Sequence, residues 1–116
     1  MPLKSYKELF VWQKSIELVE KIYNLTSKLP KEEIYGLSSQ MRRSAVSIPS
    51  NMAEGYARKN KKEFVQFLRI SYGSGAELET QIIISKNLYK NINYEDTESL
   101  LEEIQKMLNV LIKKLN

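Results

Sequence analysis

Residues 35–58 read Y-G-L-S-S-Q-M-R-R-S-A-V-S-I-P-S-N-M-A-E-G-Y-A-R, a helical pattern with a proline in its interior. Met41, Ala45, Ile48, Met52 and Tyr56 recur at steps of three and four residues, as one buried helix face requires. Val46, Ala53 and Ala57 lie on another side and are small enough to admit a neighbouring helix closely. Pro49 removes a backbone hydrogen bond and crowds the preceding turn, at a cost of about 3 kcal/mol in a helix interior. Ser47, Ser50 and Asn51 beside it offer polar groups to the freed backbone. The pattern therefore predicts a helix over 37–58 that is kinked at Pro49 rather than broken. Gly55 loosens its end.

Toward the amino terminus, Ser5 and Glu8 have the spacing of a capping box. Leu9, Trp12, Ile16, Val19 and Tyr23 then form an apolar stripe, which assigns Trp12 and Tyr23 to the core. This helix covers about 6–28, and Leu29-Pro30 ends it. Tyr35-Gly36 reads as the entry turn to the second helix, with the tyrosine packed over the bundle end.

Toward the carboxyl terminus, Asn60 and Glu63 mark the start of a third helix over 61–90. Phe64, Leu68, Ser71, Gly75, Leu78, Ile82, Ser85 and Tyr89 give it an unbroken seam with small residues in the middle. Gly73-Ser74-Gly75 follows no strand, so close packing explains it better than a phosphate loop. Ile82-Ile83-Ile84 spans roughly 200° of the helix circumference, more than one buried face needs. Ile83 and Ile84 are accordingly expected to meet another subunit. A fourth helix over 95–115 carries Thr97, Leu101, Ile104, Leu108, Leu111 and Leu115, widened by Leu100 and Met107. Lys113 and Lys114 in its last turn complement the helix dipole. The fold class that follows is all-α: an antiparallel up-down-up-down four-helix bundle, one domain over 1–116.

Composition narrows the chemistry. The 116 residues contain neither cysteine nor histidine. Disulfides, thiolate nucleophiles, Ser-His-Asp catalysis and zinc-dependent hydrolysis are therefore closed, and no enzyme activity is expected. Glu77 and Glu79 are two apart and point to different sides of a helix, so they form no paired acid/base site. Di-iron sites in bundles use Glu-x-x-His motifs, which this chain lacks; no metal and no cofactor is expected. No apolar run approaches the roughly 20 residues that span a bilayer. The opening M-P-L-K-S-Y-K lacks the apolar region of a signal peptide, so no membrane is expected and the cytoplasm is the default location.

The chain's net charge of +4 is unevenly placed. Between Met41 and Tyr72 seven cations face only Glu54 and Glu63, a local net charge of +5. Arg42 and Arg43 point about 100° apart on a helix. One reading puts them on nucleic-acid phosphates, which guanidinium forks suit. The other pairs one of them with Glu54, Glu77 or Glu79, within the bundle or across a subunit boundary. Glu77 reads as a buried partner for an arginine or an interface acceptor. Arg58, Lys59, Lys61 and Lys62 straddle a helix–helix turn and form the stronger phosphate-binding candidate, with Arg69 as a further contributor. The alternative is a solvated loop that serves solubility.

The chain resembles the small bacterial four-helix bundle proteins known from intervening sequences in 23S ribosomal RNA genes. The likeness runs through Phe10-Val11-Trp12-Gln13-Lys14, Leu29-Pro30-Lys31-Glu32-Glu33, Tyr35-Gly36-Leu37, Gln40 and Arg42-Arg43. Its most specific part is Ser47-Ile48-Pro49 with Asn51 and Ala53-Glu54-Gly55. It continues in Lys62-Glu63-Phe64, Gly73-Ser74, Glu77 to Gln81, Met107-Leu108-Asn109 and Leu111-Ile112. The resemblance implies a bundle that assembles into a ring-like homopentamer and has no established enzymatic activity. A related branch accompanies the reverse transcriptase of diversity-generating retroelements, where it looks like a basic nucleic-acid-binding accessory. The functional expectation is a non-catalytic, homo-oligomeric accessory protein. It would hold RNA or DNA non-specifically near a nucleic-acid-processing partner. The alternative is a protein–protein scaffold with no nucleic-acid ligand.

Overall fold

The computed structural model describes residues 5–116. Residues 1–4, within the expected domain bounds, lie outside the described residues. Four α-helices account for most of the chain: α1 (Phe10–Thr26), α2 (Leu37–Ala57), α3 (Lys61–Leu88) and α4 (Glu95–Leu115). Short 3-10 turns at Tyr6–Glu8 and Lys31–Glu33 precede α1 and α2, and no strand occurs among the described residues. Helix α1 packs on α2 and α4, α2 packs on α3, and α3 packs on α4. The four axes thus enclose one core. The longest dimension, 44 Å, is close to the length of α3 alone at about 1.5 Å per residue.

The capping box at Ser5 and Glu8 is present, but it caps the 3-10 turn rather than α1. Leu9 interrupts the two with extended backbone (φ −73°, ψ 124°), so the first helix begins at Phe10 and not at 6. The buried face of α1 also differs from the predicted stripe. Val11, Ser15, Leu18, Ile22 and Leu25 are buried, whereas Ile16 and Tyr23 are exposed and Trp12 is half-buried. Both sets have helical spacing, and Ser15 hides the true one. Its hydroxyl donates to the Trp12 carbonyl at 2.7 Å, which satisfies it internally and lets a serine occupy a core position.

The predicted faces of the other helices hold. Met41, Ala45, Ile48 and Met52 of α2 are buried, and so is the α3 seam from Phe64 to Ser85. On α4, Ile112 is buried in place of Leu111, which packs at the core margin. Helix α2 runs without interruption through Pro49, itself buried. Asn51 donates its amide to the Ser47 carbonyl (2.8 Å) and hydroxyl (2.9 Å). From α3, the Ser71 hydroxyl donates to the Ile48 carbonyl at 2.8 Å. Backbone carbonyls on the turn before the proline are thus bonded from within α2 and from the neighbouring helix.

Two glycines mark where helices come close. A Cβ on Gly55 would lie 2.5 Å from Phe67 Cβ, and one on Gly75 2.2 Å from the Gln105 side chain of α4. Gly55 therefore makes room for α3 rather than loosening the end of α2. Gly73 faces open space. Val46 and Ala57 are exposed and Ala53 is half-buried, so the small-residue side of α2 is turned mostly outward.

Candidate nucleic-acid interface

The α2–α3 turn is built from both ends. Arg58 and Lys59 close α2 by donating their backbone N–H groups to the Gly55 and Tyr56 carbonyls. Lys59 does so at φ 57°, in the left-handed region where a side chain costs roughly 1–2 kcal/mol and glycine is favoured. Asn60 then caps α3, its Oδ1 accepting from the Glu63 N–H at 3.1 Å. Edge-to-face contacts tie this end of the bundle together: Tyr56 on Phe64 at 5.9 Å, Tyr6 on Tyr56 at 6.2 Å, and Tyr6 on Trp12 at 5.3 Å.

The four turn cations fall into two groups. Arg58 is committed to the turn. Its guanidinium meets Glu54 at 3.0 Å and Glu63 at 3.7 Å and lies 5.0 Å over the Phe67 ring. Lys59, Lys61 and Lys62 are exposed and, among the described residues, make no ion pair. Lys61 and Lys62 open α3, where the helix dipole is positive, so two cations there repel the helix end rather than complement it. Arg69, two turns further along α3, is also exposed and unpaired.

The tandem arginines part company, and neither meets a glutamate. Arg42 is half-buried against the last turn of α1. Its Nε donates to Thr26 Oγ1 at 2.8 Å, its Nη2 approaches the Tyr23 carbonyl at 3.5 Å, and its guanidinium stacks 4.4 Å from the Tyr23 ring centre. It acts as a cation at the negative end of α1. Within the bundle Arg42 does not take up the pairing with Glu54, Glu77 or Glu79, one of the two readings its sequence position allows: its nearer partner is a helix terminus, which carries no sequence signature of its own. Glu77 is exposed rather than buried and accepts from the Ser44 hydroxyl at 3.3 Å. Glu79 is exposed and has no partner among the described residues, and Glu54 belongs to Arg58. Arg43 is exposed and, among the described residues, unpaired.

Arg42 and Arg43 border an open groove of about 1010 Å³ between the end of α1, the loop after it and the first half of α2. Tyr35, expected over the bundle end, instead stands on this groove with 96% of its surface exposed. Sequence periodicity has no hold on a residue in a connecting turn, so nothing in the spacing marks it. The turn is clasped from the far side of the bundle: the Tyr89 hydroxyl donates to Glu33 Oε2 at 2.5 Å, and the Leu37 N–H donates to Glu33 Oε1 at 3.1 Å. The Tyr89 hydroxyl, then the Leu37 N–H, hold the Glu33 carboxyl below its ordinary pKa. The same carboxylate pushes the Tyr89 phenol up.

Other chemistries find little footing. No group of three or more carboxylates that could hold a metal ion occurs among the described residues. Nor is any described helix long and apolar enough to cross a membrane.

Fold and surface together define a small all-α bundle protein with unpaired cations gathered at one inter-helix turn. The chain belongs to the 23S rRNA-intervening sequence protein family, whose model matches residues 7–112. It is also similar to a solved crystal structure from Bacteroides thetaiotaomicron, described as a protein of unknown function from the S23 ribosomal protein family. The two share 28% identity with a TM-score of 0.77, over 89% of this chain and 98% of that one. No curated protein matches the chain.

Proposed function

We propose that this protein is a non-catalytic, cytoplasmic accessory protein that binds RNA or DNA without sequence preference through the α2–α3 turn. The observation that carries the reading is the trio Lys59, Lys61 and Lys62. Each is exposed and unpaired, and each sits where it opposes the fold's own preferences: one in left-handed backbone, two at a positive helix end. A bound polyanion offsets the repulsion at the helix end, and Lys59 stands where left-handed backbone would favour glycine. Arg69 and Arg43 extend the positive surface. Arg58 contributes charge while holding the turn in shape. Membership of a family associated with ribosomal RNA genes adds weight to a nucleic-acid ligand.

The working unit we propose is a homo-oligomer, a pentamer by the family resemblance. Its support on the molecule is the outer side of α3, where Ile70, Ile83 and Ile84 are each about half exposed. A ring would repeat the three lysines once per subunit and raise the local potential several-fold. The same apolar surface favours the second reading, a scaffold that recruits a polypeptide and no nucleic acid. The two separate cleanly. Reversing Lys61 and Lys62 to glutamate weakens nucleic-acid affinity and lowers the salt slope by about two if they touch phosphates. Unchanged binding in that variant would remove the turn from the account.

A further inference from the structure

The α1–α2 groove has features that the turn lacks. Lys31, Arg42 and Arg43 line it, and no aspartate or glutamate does, so its charge suits a chain of phosphates. Arg43 has no partner in the bundle, and the exposed hydroxyls of Ser39 and Ser50 stand along the same wall. Tyr35 adds a π surface. Tyrosines on protein surfaces usually bury the ring and leave the hydroxyl in water, whereas both faces of this ring are open. The backbone that carries the ring is also held in place. The Glu33 N–H bonds to the Pro30 carbonyl (2.9 Å), the Ile34 N–H to Lys31 (3.1 Å) and the Gly36 N–H to Glu33 (3.0 Å). The clasp of Glu33 by Tyr89 and by Leu37 braces the same turn. A braced turn spares the backbone part of the ordering cost when something stacks on the ring, leaving only the two side-chain torsions to be fixed.

We infer that this groove binds single-stranded nucleic acid, with Tyr35 as the stacking platform for an unpaired base and Arg43 on an adjacent phosphate. The inference rests on the nucleic-acid reading above but assigns a different form of ligand to a different place. Within a duplex the base faces are already stacked on one another, so Tyr35 discriminates for unpaired strands. The chemistry is shared by RNA and DNA.

Labelled oligouridylate, oligothymidylate and a duplex of the same length test it by fluorescence anisotropy, with the mass of each variant measured alongside. Tyr35 is so exposed that its substitution leaves the core untouched. Tyr35→Ala and Arg43→Glu are each expected to weaken single-strand binding about tenfold, the loss of one stacked base or one phosphate contact. Tyr35→Phe should retain the affinity and Tyr35→Leu should not, since only the former keeps a π face; duplex binding should be unchanged by the tyrosine variants. Single-strand binding indifferent to Tyr35→Ala but lost in the Lys61→Glu, Lys62→Glu variant overturns the groove and leaves the turn standing. A smaller particle for Tyr35→Ala means that the groove seats a second copy, which also overturns it. If the unaltered protein binds none of the three probes at low salt, the nucleic-acid reading itself falls.

Discussion

Glu33 shows how much one residue can organise and how its loss can be read out. Its carboxylate accepts from the first N–H of α2 and from the phenol of Tyr89 beyond the end of α3, joining two loops across the bundle end. Because its pKa is lowered in the folded protein, its contribution is present above the ordinary carboxylate value of 4.5 and fades as pH falls through the lower folded value. Melting temperature followed from pH 6 downward should therefore drop more steeply in the unaltered protein than in Glu33→Gln. Equal slopes would mean that the clasp contributes nothing in solution. Tyr89 acts in the opposite sense, its raised pKa keeping the donor protonated until well into alkaline pH. Neither partner was legible in the sequence, because they are 56 residues apart and each lies in or beside a connection. Arg42 was hidden for a related reason: its partners are a carbonyl, a hydroxyl and a ring on α1, while sequence reasoning looks first for a carboxylate.

Among the elements, those with one dominant stripe were readable and the one with two was not. The α3 seam and the α2 face each offered a single apolar line, and both proved buried. Helix α1 carried two lines side by side, and a serine that bonds its own backbone broke the one that faces the core. The glycines of α2 and α3 turn the same geometry into a stability test. Gly73→Ala meets open space and gains helix propensity, so urea titration should show about 0.5–1 kcal/mol of added stability. Gly55→Ala gains the same propensity but presses its methyl 2.5 Å from Phe67 Cβ, an atom fixed close to backbone. Overpacking of that kind costs about 1–3 kcal/mol, so the net effect should be destabilising. A Gly55→Ala protein as stable as the original would show that α2 and α3 sit further apart than described here.

At the scale of the whole molecule, the bundle uses only part of the apolar surface that its helices carry. The sequence pattern exposed this at Ile82-Ile83-Ile84: the first is buried at 1% exposure, while Ile83 and Ile84 are 53% and 45% exposed. Charges on that side should break a self-assembly, so Ile83→Glu with Ile84→Glu is expected to reduce the particle mass in light scattering while leaving helicity intact. Fold class was thus readable because helix periodicity and short connections are local facts. Which cations remain free was readable only in part. Glu54 lies four residues before Arg58 at the end of α2, a spacing that favours an ion pair, whereas the approach of Glu63 and Phe67 depends on how the turn sets α3 against α2. Arg58 and Lys61 are neighbouring cations in sequence, yet one is held between two glutamates and a ring and the other makes no ion pair among the described residues.

Whether the unpaired lysines at the α2–α3 turn engage phosphates is decided by a salt series. Affinity of the purified protein for a labelled DNA duplex would be measured from low to high ionic strength, beside the Lys61→Glu, Lys62→Glu variant. Phosphate contact at the turn gives a logarithmic slope of about −0.9 for each phosphate neutralised on the duplex, with the variant shallower by about two contacts and weaker throughout. A salt-independent affinity, or a variant that follows the same line as the unaltered protein, would contradict it.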